Sequence, residues 1–455
     1  MKTFDVVVLG AGDAGLSVAF QAAENFKVAL LEKALPGGTC VNNGCVPSKT
    51  LIHAADVIME IRNAERLGIR AALQEMNFRS IMDRMRNIVS EGRNGITDAI
   101  KETANLEFIQ APAHFIDGHT LEAGGERIRG KKIFIASGAR PVIPPLKGLD
   151  EVPFLTNESV LTLEKLPESM IIIGGGYVGV EYAHFFATMG TKVTLMNRNT
   201  RLLPSEDHEI SGLLMREMGK RVHLLSSVEI SEVRQEYGKY SVRFTNSENS
   251  QAGEVSAKSL MVATGRKSNA DLLGIEKAGV ATDDKNFIRV DDYLRTNKRH
   301  IWAVGDCNGK AMFTHAGDRE AEIAWNNATL KKKVRMDFDS VPHAVFTYPQ
   351  IAAIGLSEEK ARKEHDVLVG KAMYSGTVMG EAMAEHDGFA KAVMEKKTGK
   401  ILGFHIIGPH AAMLIQEVVN AVIQGHGSKS ITGSMHIFPA LTNLIPDVFS
   451  NIKTE

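Results

Sequence analysis

The stretch FDVVVLGAGDAGLSVAFQAAENFKVALLEK, residues 4–33, decides the fold of this chain. It has the pattern of a buried strand, a glycine-rich turn, a helix and a second apolar strand. The G-x-G-x-x-G spacing allows a tight turn and close backbone approach to a pyrophosphate, and its glycines are Gly10, Gly12 and Gly15. Glu32 ends the second strand, where a carboxylate can accept hydrogen bonds from a ribose. The stretch therefore predicts a dinucleotide-binding βαβ unit.

A second stretch, MIIIGGGYVGVEYAHFFATMGTKVTLMNR at residues 170–198, repeats this pattern. Its glycines are Gly174, Gly176 and Gly179. Asn197 occupies the position of Glu32, and Arg198 follows it. A carboxylate repels a 2′-phosphate whereas an arginine accommodates one, so this unit favours NADPH. NADH stays open, because exposed arginines are common. Two dinucleotide sites in one chain indicate a flavin and a nicotinamide that exchange electrons.

The composition narrows the class of protein. The 455 residues include 53 Lys and Arg against 54 Asp and Glu, a balance that gives no broad electrostatic reason to bind nucleic acid or an anionic membrane. No apolar run has the length of a membrane span, and the strand pattern at the N-terminus leaves no room for a secretion signal. Three cysteines do not make a secreted disulfide framework. We therefore expect a cytoplasmic protein without a nucleic-acid or membrane partner.

Two of the three cysteines lie close together in GGTCVNNGCVPSK, residues 37–49. A structural zinc site would need four ligands, and no second pair exists to complement Cys40 and Cys45. Inert buried thiols are another alternative, but the flanking glycines and proline indicate a shaped backbone. A reversible disulfide at the start of a helix fits better. Pro47 suits the opening of that helix, and the helix N-terminus would lower the pKa of Cys45.

These motifs resemble the signatures of the class I FAD-dependent pyridine nucleotide-disulfide oxidoreductases. That family includes dihydrolipoamide dehydrogenase, glutathione reductase, mycothione reductase and mercuric reductase. The resemblance extends from the first glycine-rich turn to FPALTN at residues 438–443. It implies an α/β fold with two Rossmann-like dinucleotide-binding domains and a C-terminal α+β dimerisation domain. The implied FAD-binding domain covers residues 1–145 and 268–340, the NAD(P)-binding domain 146–267, and the dimerisation domain 341–455.

The resemblance also implies a role for each matching residue. Cys45 would be the thiolate against the flavin, and Cys40 would be the thiol that attacks the acceptor. Lys49 and Glu181 would form an ion pair beside the reactive ring edge, the alternative being two solvated surface charges. The implied FAD contacts are Gly10, Gly12, Gly15, Glu32, Lys33, Gly38, Thr39, Ser137, Gly138 and Asp306, the last of them at the ribityl chain. The implied NAD(P) contacts are Gly174, Gly176, Tyr177, Gly179, Asn197, Arg198 and Gly265, with Tyr177 covering the nicotinamide pocket.

Electrons would pass from NAD(P)H to FAD, then to the Cys40–Cys45 disulfide, and finally to a small-molecule acceptor. As in the family, the chain would form a homodimer and the acceptor would bind at the subunit interface. Cys307 follows Asp306 and is expected to be a passive buried side chain. None of the motifs indicates a bound metal.

One part of the family pattern is missing. The disulfide reductases carry His-Pro near the C-terminus and a glutamate four residues after the proline, which together supply acid–base catalysis. Here Phe438 occupies the histidine position and Asn443 occupies the glutamate position. His436 lies two residues before Phe438, and a structural or ancillary role is the favoured interpretation for it. Without a proton donor, a thiolate of high pKa leaves poorly.

We therefore expect an FAD-dependent NAD(P)H oxidoreductase whose acceptor is not standard lipoamide. Disulfides with acidic leaving thiols, low-molecular-weight thiol adducts, metal ions and quinones are the candidate acceptors. Dihydrolipoamide dehydrogenase itself remains one alternative. A metal reductase similar to mercuric reductase is another, because mercuric reductase also has an aromatic residue before the proline. However, this chain ends SNIKTE without the cysteine pair usual in that enzyme. The third alternative is a flavoprotein that senses NAD(P)H without turnover, although Cys40, Cys45, Lys49 and Glu181 together speak against it.

Overall fold

The computed structural model describes residues 1–330 and 332–452. The chain divides into two compact units. The first contains residues 1–48, 83–142 and 265–338, and the second contains 49–82, 143–264 and the residues from 339 onward. The three-domain boundaries given above stay a prediction. Among the helices that the structure describes, none is long and apolar enough to cross a membrane.

The strands are numbered along the chain. The first seven are β1 (Lys2–Leu9), β2 (Val28–Glu32), β3 (Leu106–Gln110), β4 (Ala113–Phe115), β5 (Thr120–Ala123), β6 (Glu126–Ile135) and β7 (Ala139–Pro141). The next seven are β8 (Ser169–Ile173), β9 (Lys192–Met196), β10 (His223–Leu225), β11 (Val228–Glu236), β12 (Lys239–Asn246), β13 (Ala252–Ala257) and β14 (Ser259–Val262). The last are β15 (Arg266–Ser268), β16 (Ile301–Ala303), β17 (His343–Val345), β18 (Gln350–Gly355), β19 (Val367–Met373), β20 (Phe389–Glu395) and β21 (Ile401–Gly408).

The helices are numbered in the same way. The first seven are α1 (Asp13–Ala23), α2 (Gly38–Asn43), α3 (Cys45–Asn63), α4 (Phe78–Glu102), α5 (Tyr177–Met189), α6 (His208–Gly219) and α7 (Thr314–Thr329). The others are α8 (Glu358–Glu364), α9 (Val378–Ala382), α10 (Ala411–Leu414), α11 (Gln416–Ile423), α12 (Ser428–Thr432) and α13 (Leu444–Ser450). Short 3₁₀ turns occupy Ala64–Leu67, Ser159–Thr162, Ala270–Leu272, Gly305–Asn308, Tyr374–Gly376 and Leu441–Asn443.

A largely parallel sheet forms the core of the first unit. Its strands lie in the order β3-β2-β1-β6-β5-β4, and β16 also pairs with β6. Strand β1 runs parallel to both β2 and β6, whereas β5 runs antiparallel to β4 and β6. Residues 6–9 of β1 are all buried, because both faces of the strand are covered, so its apolar run is continuous rather than alternating. The first glycine-rich turn joins this strand to α1.

The described part of the second unit contains three sheets. A parallel sheet has the order β10-β9-β8-β14, and the second glycine-rich turn joins β8 to α5. An antiparallel sheet of β11, β12 and β13 follows. The C-terminal sheet is antiparallel, in the order β17-β18-β21-β20-β19, and its core also contains apolar side chains of α10 to α13. The two predicted βαβ units are confirmed as β1-α1-β2 and β8-α5-β9, and the C-terminal part has the predicted α+β character.

Candidate active site

The first glycine-rich turn approaches its neighbours so closely that two of its positions admit no side chain. A Cβ at Gly10, where φ is +108°, would lie 2.2 Å from the carbonyl oxygen of Ala136. A Cβ at Gly15 would lie 1.9 Å from the carbonyl oxygen of Gly10. Gly12 is less crowded, since its Cβ would meet the Cα of Gly38 at 3.5 Å. The backbone at the N-terminus of α1 can therefore be approached by a phosphate group.

The acid at the end of β2 is fixed beside this turn. One carboxylate oxygen of Glu32 accepts a hydrogen bond from the backbone N–H of Ala11, and the other accepts one from Ala34, both at 2.8 Å. Each oxygen keeps a lone pair for another donor. Glu32 can thus hold the turn and still accept a hydrogen bond from a ribose hydroxyl, as its predicted role requires.

A buried acidic turn follows β16 in the first unit. Asp306 forms an ion pair with Arg266, whose Nε lies 3.4 Å from Oδ2. Burial raises the pKa of Asp306, and the charge on Arg266 opposes that shift. One oxygen of Glu320 accepts hydrogen bonds from Gly305 N at 2.8 Å and Asn308 Nδ2 at 2.6 Å. Burial raises the pKa of Glu320 to about 8. Glu320 therefore fixes the backbone turn that carries Asp306.

The other residues predicted to contact FAD also lie in the first unit. Arg266 links one of them to the acidic turn, because its Nη2 donates to the hydroxyl of Thr39 at 3.4 Å. The remaining ones are the exposed Lys33 after β2, Gly38 at the start of α2, and Ser137 and Gly138 after β6. Gly265, which the sequence assigns to the NAD(P) site, belongs to this unit as well and has φ +127° directly before β15.

The two neighbouring cysteines sit at consecutive helices. Cys40 lies in α2 and is half-buried, whereas Cys45 is the first residue of α3 and is exposed. The sulfur of Cys45 lies 3.5 Å from the hydroxyl of Thr314, the first residue of α7. A hydrogen bond with Cys45 and burial raise the pKa of Cys40. The pair therefore has one half-buried thiol, Cys40, whose pKa is raised, and one exposed thiol, Cys45, at a helix N-terminus, where a thiolate is favoured.

In the second unit, Lys49 and Glu181 form an ion pair. Lys49 Nζ lies 2.8 Å and 3.1 Å from the two oxygens of Glu181, which is buried. Glu181 Oε1, the oxygen 3.1 Å from Lys49, also accepts a hydrogen bond from the backbone N–H of Phe346 at 2.9 Å, and Lys49 lies over the Phe346 ring at 4.8 Å. Lys49 follows Cys45 by one turn of the same helix α3. The contact is therefore a fixed ion pair rather than two solvated charges, and its place beside a flavin stays a prediction.

The second glycine-rich turn repeats the geometry of the first. A Cβ at Gly174, where φ is +123°, would lie 2.2 Å from the carbonyl oxygen of Ala263. A Cβ at Gly179 would lie 1.8 Å from the Gly174 oxygen, and a Cβ at Gly176 would have no described heavy atom within 4 Å. This turn can therefore also admit a phosphate at the N-terminus of a helix, here α5.

The two residues after β9 differ in what they can offer a nucleotide. Asn197 is buried, and its Nδ2 donates to the carbonyl oxygens of Asn199 and Arg201, both at 2.8 Å. Its amide thus shapes the following turn. Arg198 is exposed, while Arg201 pairs with Glu359 at 3.4 Å. Arg198 is therefore the exposed arginine beside Asn197, and its contact with a ribose phosphate stays a prediction.

Tyr177 begins α5 and is tied to a buried carboxylate. Its hydroxyl donates to Glu206 Oε1 at 2.9 Å, and His343 Nε2 approaches the same oxygen at 2.7 Å. Burial and the charge on Glu206 raise the pKa of Tyr177. The side chain predicted to cover the nicotinamide is therefore held by hydrogen bonds as well as by packing.

The segment in which the family carries its acid–base dyad is exposed. Phe438 precedes a cis peptide bond to Pro439 and has 73% of its surface accessible. Asn443 Oδ1 accepts a hydrogen bond from Ala440 N at 3.1 Å. His436 pairs with Glu417, its Nε2 lying 2.9 Å from Oε1. His436 is therefore held by a local contact with Glu417, and Phe438 and Asn443 present no titratable group.

Several contacts in these sites were not apparent from the sequence. The hydroxyl at Cys45 comes from Thr314, the cation at Asp306 comes from Arg266, and the partners of Tyr177 are Glu206 and His343. All are ordinary polar residues without a spacing pattern. The only local signal is the run AVGDCNGKAMFTH at residues 303–315, which leads from the predicted Asp306 into the start of α7.

Comparison with known proteins identifies the family. Residues 4–321 match the family described as pyridine nucleotide-disulphide oxidoreductase. Residues 341–448 match the dimerisation domain of the same family. This second match indicates that the chain forms a homodimer.

Similar proteins include enzymes and a solved structure. The mercuric reductase of Staphylococcus aureus is 33% identical over 435 residues, covering 95% of this chain and 79% of that protein. The mycothione reductase of Mycobacterium tuberculosis is 32% identical over 466 residues, covering 100% of each chain. The Cu(II) complex of the HOCl-induced flavoprotein disulfide reductase RclA from Escherichia coli has a TM-score of 0.88 and 28% identity, covering 100% of both chains.

Two dinucleotide turns, a close cysteine pair and these similarities define a flavoprotein reductase that uses FAD and NAD(P)H. The chain belongs to the class I pyridine nucleotide-disulfide oxidoreductase family. The residues of the first unit fit FAD. The glycine-rich turn leaves room for a phosphate at the N-terminus of α1, Glu32 beside it can accept a hydrogen bond from a ribose, and Asp306 lies on a fixed turn as its predicted contact with the ribityl chain requires. When bound, FAD supplies two-electron transfer between NAD(P)H and the cysteine pair.

Proposed function

We propose that this enzyme uses the Cys40–Cys45 pair to pass electrons from NAD(P)H to a soft metal ion, with Cu(II) as the first candidate. The observation that carries the proposal is the residue before cis-Pro439. Phe438 stands there, largely exposed, and its ring has no proton to donate. Such a site suits an acceptor that takes electrons without leaving a basic thiolate behind.

The similar proteins support a metal acceptor. One of them is named a mercuric reductase, and RclA is solved as a Cu(II) complex. Thiolate sulfur is a soft ligand and stabilises Cu(I) over Cu(II). The exposed sulfur of Cys45 and the half-buried sulfur of Cys40 offer two such ligands in the first unit.

The electron balance of this reaction is simple. The reduced pair, one thiol and one thiolate, gives one electron to each of two Cu(II) ions. The two sulfurs form a disulfide bond, one proton is released, and two Cu(I) ions leave. NAD(P)H then supplies two electrons that break the disulfide again. No step needs a proton from the Phe438 segment.

We further propose that the acceptor binds at the subunit interface. Met435, Ile437 and Phe438 are 101%, 79% and 73% exposed. A run of exposed apolar side chains of this kind is the surface that a second copy of the chain would cover. The segment that replaces the family dyad would then lie beside the cysteine pair of the other subunit.

We also place the enzyme in the cytoplasm. Three cysteines in 455 residues do not make the disulfide framework of a secreted protein, and a reducing compartment such as the cytoplasm keeps most thiols from pairing. A disulfide that must be opened and closed in each turnover also fits such a compartment better than an oxidising one.

The test is an acceptor panel on the FAD-loaded enzyme. NADPH oxidation is followed with Cu(II), Hg(II), lipoamide and a quinone, and Cu(I) is counted with a Cu(I)-specific chelator. We expect about two Cu(I) ions per NADPH oxidised. Lipoamide turnover should be roughly 100-fold slower than copper turnover, because a missing general acid typically costs a factor of this size. A Cys40→Ser/Cys45→Ser enzyme measures the copper reduction that flavin alone supports.

The other outcomes assign other functions. Fast lipoamide turnover would identify a dihydrolipoamide dehydrogenase and overturn the metal proposal, with the His436–Glu417 pair as the group to examine next. Copper reduction that persists in the double serine variant would place electron transfer at the flavin. Flavin reduction without turnover on any acceptor would identify an NAD(P)H sensor.

Arg198 is expected to select NADPH over NADH. The exposed guanidinium directly follows Asn197, which occupies the position where an acid would otherwise hold the ribose. Arg198→Ala should raise KM for NADPH roughly 10- to 100-fold, because a charge-assisted contact to phosphate contributes about 1.5–3 kcal/mol. KM for NADH should stay nearly constant. Steady-state kinetics with both cofactors measures this difference. Arg201→Ala is the matched control, since that side chain pairs with Glu359, and equal losses for both cofactors in Arg198→Ala would contradict the assignment.

A further inference from the structure

Asp13 occupies an unexpected place for an acid. It lies inside the first glycine-rich turn, between Gly12 and Gly15, and is the first residue of α1. A helix N-terminus in such a turn is where the pyrophosphate of a dinucleotide binds. A carboxylate there adds negative charge beside an anion. Its presence therefore calls for a function other than nucleotide binding.

The start of α2 packs directly on the glycine-rich turn. The backbone N–H of Gly37 donates to the carbonyl oxygen of Ala11 at 2.8 Å. A Cβ added at Gly38 would lie only 2.6 Å from the Cα of Gly12. The backbone segments before Asp13 and before Cys40 are thus in contact.

This packing brings a carboxyl group to a redox cysteine. Asp13 follows Gly12 by one residue and Cys40 follows Gly38 by two, so this backbone contact places the carboxyl group of Asp13 beside the thiol of Cys40. Burial raises the pKa of Asp13, whereas its hydrogen bonds lower it. The sulfur of Cys40 is consequently paired with an acid of the same compact unit.

The groups around this pair come from three further elements. A hydrogen bond with Cys45 of α3 raises the pKa of Cys40 most, and burial raises it next. Thr314 of α7 lowers the pKa of Cys40, whereas the charge on Asp13 raises it. Asp318 of α7 faces Asp13, which raises the pKa of Asp318 in addition to burial. His315 opposes that shift of Asp318. From β15, Arg266 reaches Thr39, the residue before Cys40.

We propose that Asp13 is a positioning residue that decides which sulfur of the reduced pair keeps the proton. Its carboxylate accepts the hydrogen bond of the Cys40 thiol, so that the thiolate resides on Cys45. The inference rests on the proposed function only in requiring that the pair be reduced during turnover. It adds a residue that the glycine and cysteine motifs do not contain, and it gives a structural cause for the proton location that the family resemblance implies.

The proton balance makes this choice necessary. Two electrons and one proton convert a disulfide into one thiol and one thiolate. The hydrogen bond between Cys40 and Cys45 serves either arrangement equally, so it cannot choose between them. Cys40 is half-buried and faces a carboxylate, whereas Cys45 is exposed at a helix N-terminus. Both differences place the proton on Cys40. When Cys40 attacks its acceptor, that proton passes to the Asp13 carboxylate and from there to solvent.

The test measures the protonation of Cys40 without any acceptor. The FAD-loaded enzyme and its Asp13→Asn variant are reduced with NADPH under anaerobic conditions and alkylated with iodoacetamide across pH 5.5–9. Peptide mass spectrometry gives the labelling rate at Cys40 for each pH. We expect Asp13→Asn to lower the midpoint by about one pH unit and to raise labelling near neutral pH about tenfold. In the variant, the thiolate–flavin charge-transfer absorbance should weaken, since part of the thiolate moves from Cys45 to Cys40.

Two further variants separate charge from structure. Asp13→Glu keeps the carboxylate and should restore most of the wild-type midpoint. Asp318→Asn removes a neighbouring carboxylate that faces Asp13, and it should shift the midpoint much less. Unchanged labelling and absorbance in a folded, FAD-loaded Asp13→Asn enzyme would overturn the inference. An equal shift in Asp318→Asn would also overturn it, by showing a general field effect. Failure of the copper assay with a shifted Cys40 midpoint would reject the proposed acceptor alone.

Discussion

Replacing Cys45 with serine is expected to stop electron delivery to the acceptor while FAD stays bound. NADPH-dependent Cu(II) reduction should fall by about three orders of magnitude or more, because serine cannot form the disulfide on which each turnover depends. The side chain is exposed at the start of α3, with the Thr314 hydroxyl 3.5 Å from the sulfur. Serine therefore fits the site without steric conflict. Anaerobic NADPH titration should reduce the flavin with no long-wavelength charge-transfer band.

The Cys40→Ser variant distinguishes the two sulfurs. It should be equally inactive in turnover, yet it keeps the sulfur of Cys45 and should therefore show the charge-transfer band even before reduction. Cys307→Ser is the matched control. Cys307 is fully buried and its thiol donates to the carbonyl oxygens of Ile135 and Val304, both at 3.2 Å, so a hydroxyl can replace it. Full activity in Cys45→Ser, or a persistent band in that variant, would contradict the assignment.

The βαβ units could be predicted because their signals are local. A continuous apolar strand, a glycine spacing and a terminal acid lie within the stretch 4–33, and each acts through backbone geometry that neighbouring residues determine. The glycines confirm this reasoning at atomic distances, since a Cβ at Gly15 would lie 1.9 Å from a backbone oxygen. The start of α3 at Cys45 could be predicted from an equally local signal, Pro47.

The residues that contact these predicted site residues could not be predicted from local sequence signals. Thr314 lies 269 positions from Cys45, and Arg266 lies 227 positions from Thr39. Contacts over such separations depend on how whole elements pack, and no spacing rule encodes them. Asn197 was predicted from its position to contact a ribose. Its amide instead donates to the nearby carbonyl oxygens of Asn199 and Arg201, which the position alone did not indicate.

Asp13 lies between these two cases. Its position in the turn was visible in the sequence, but an acid there had no explanation until the packing of α2 on the turn brought Cys40 beside it. A departure from a motif can thus mark a contact that the motif itself does not describe. The same reasoning applies to Phe438 and Asn443, which depart from the family pattern at the other end of the chain.

Restoring the family dyad is expected to make lipoamide an efficient acceptor. The Phe438→His/Asn443→Glu double variant should raise lipoamide turnover by about 100-fold, because positioned acid–base catalysis typically contributes 10²–10⁴-fold. The exposed Phe438 leaves room for an imidazole, and a glutamate can still accept the hydrogen bond that Ala440 N now donates to Asn443. Steady-state lipoamide kinetics across pH should show a new titrating group near neutral pH. Copper reduction should change little.

The single variants show whether the two residues act together. Phe438→His alone should give a smaller gain, since the imidazole would lack the carboxylate that orients it. His436→Ala is the matched control. That histidine is already paired with Glu417, so its loss should leave lipoamide turnover near the starting value. A large loss in His436→Ala would instead make His436 the proton donor. No gain in a folded, FAD-loaded double variant would show that the shape of the interface excludes lipoamide. The missing dyad would then not be the reason why the enzyme rejects lipoamide.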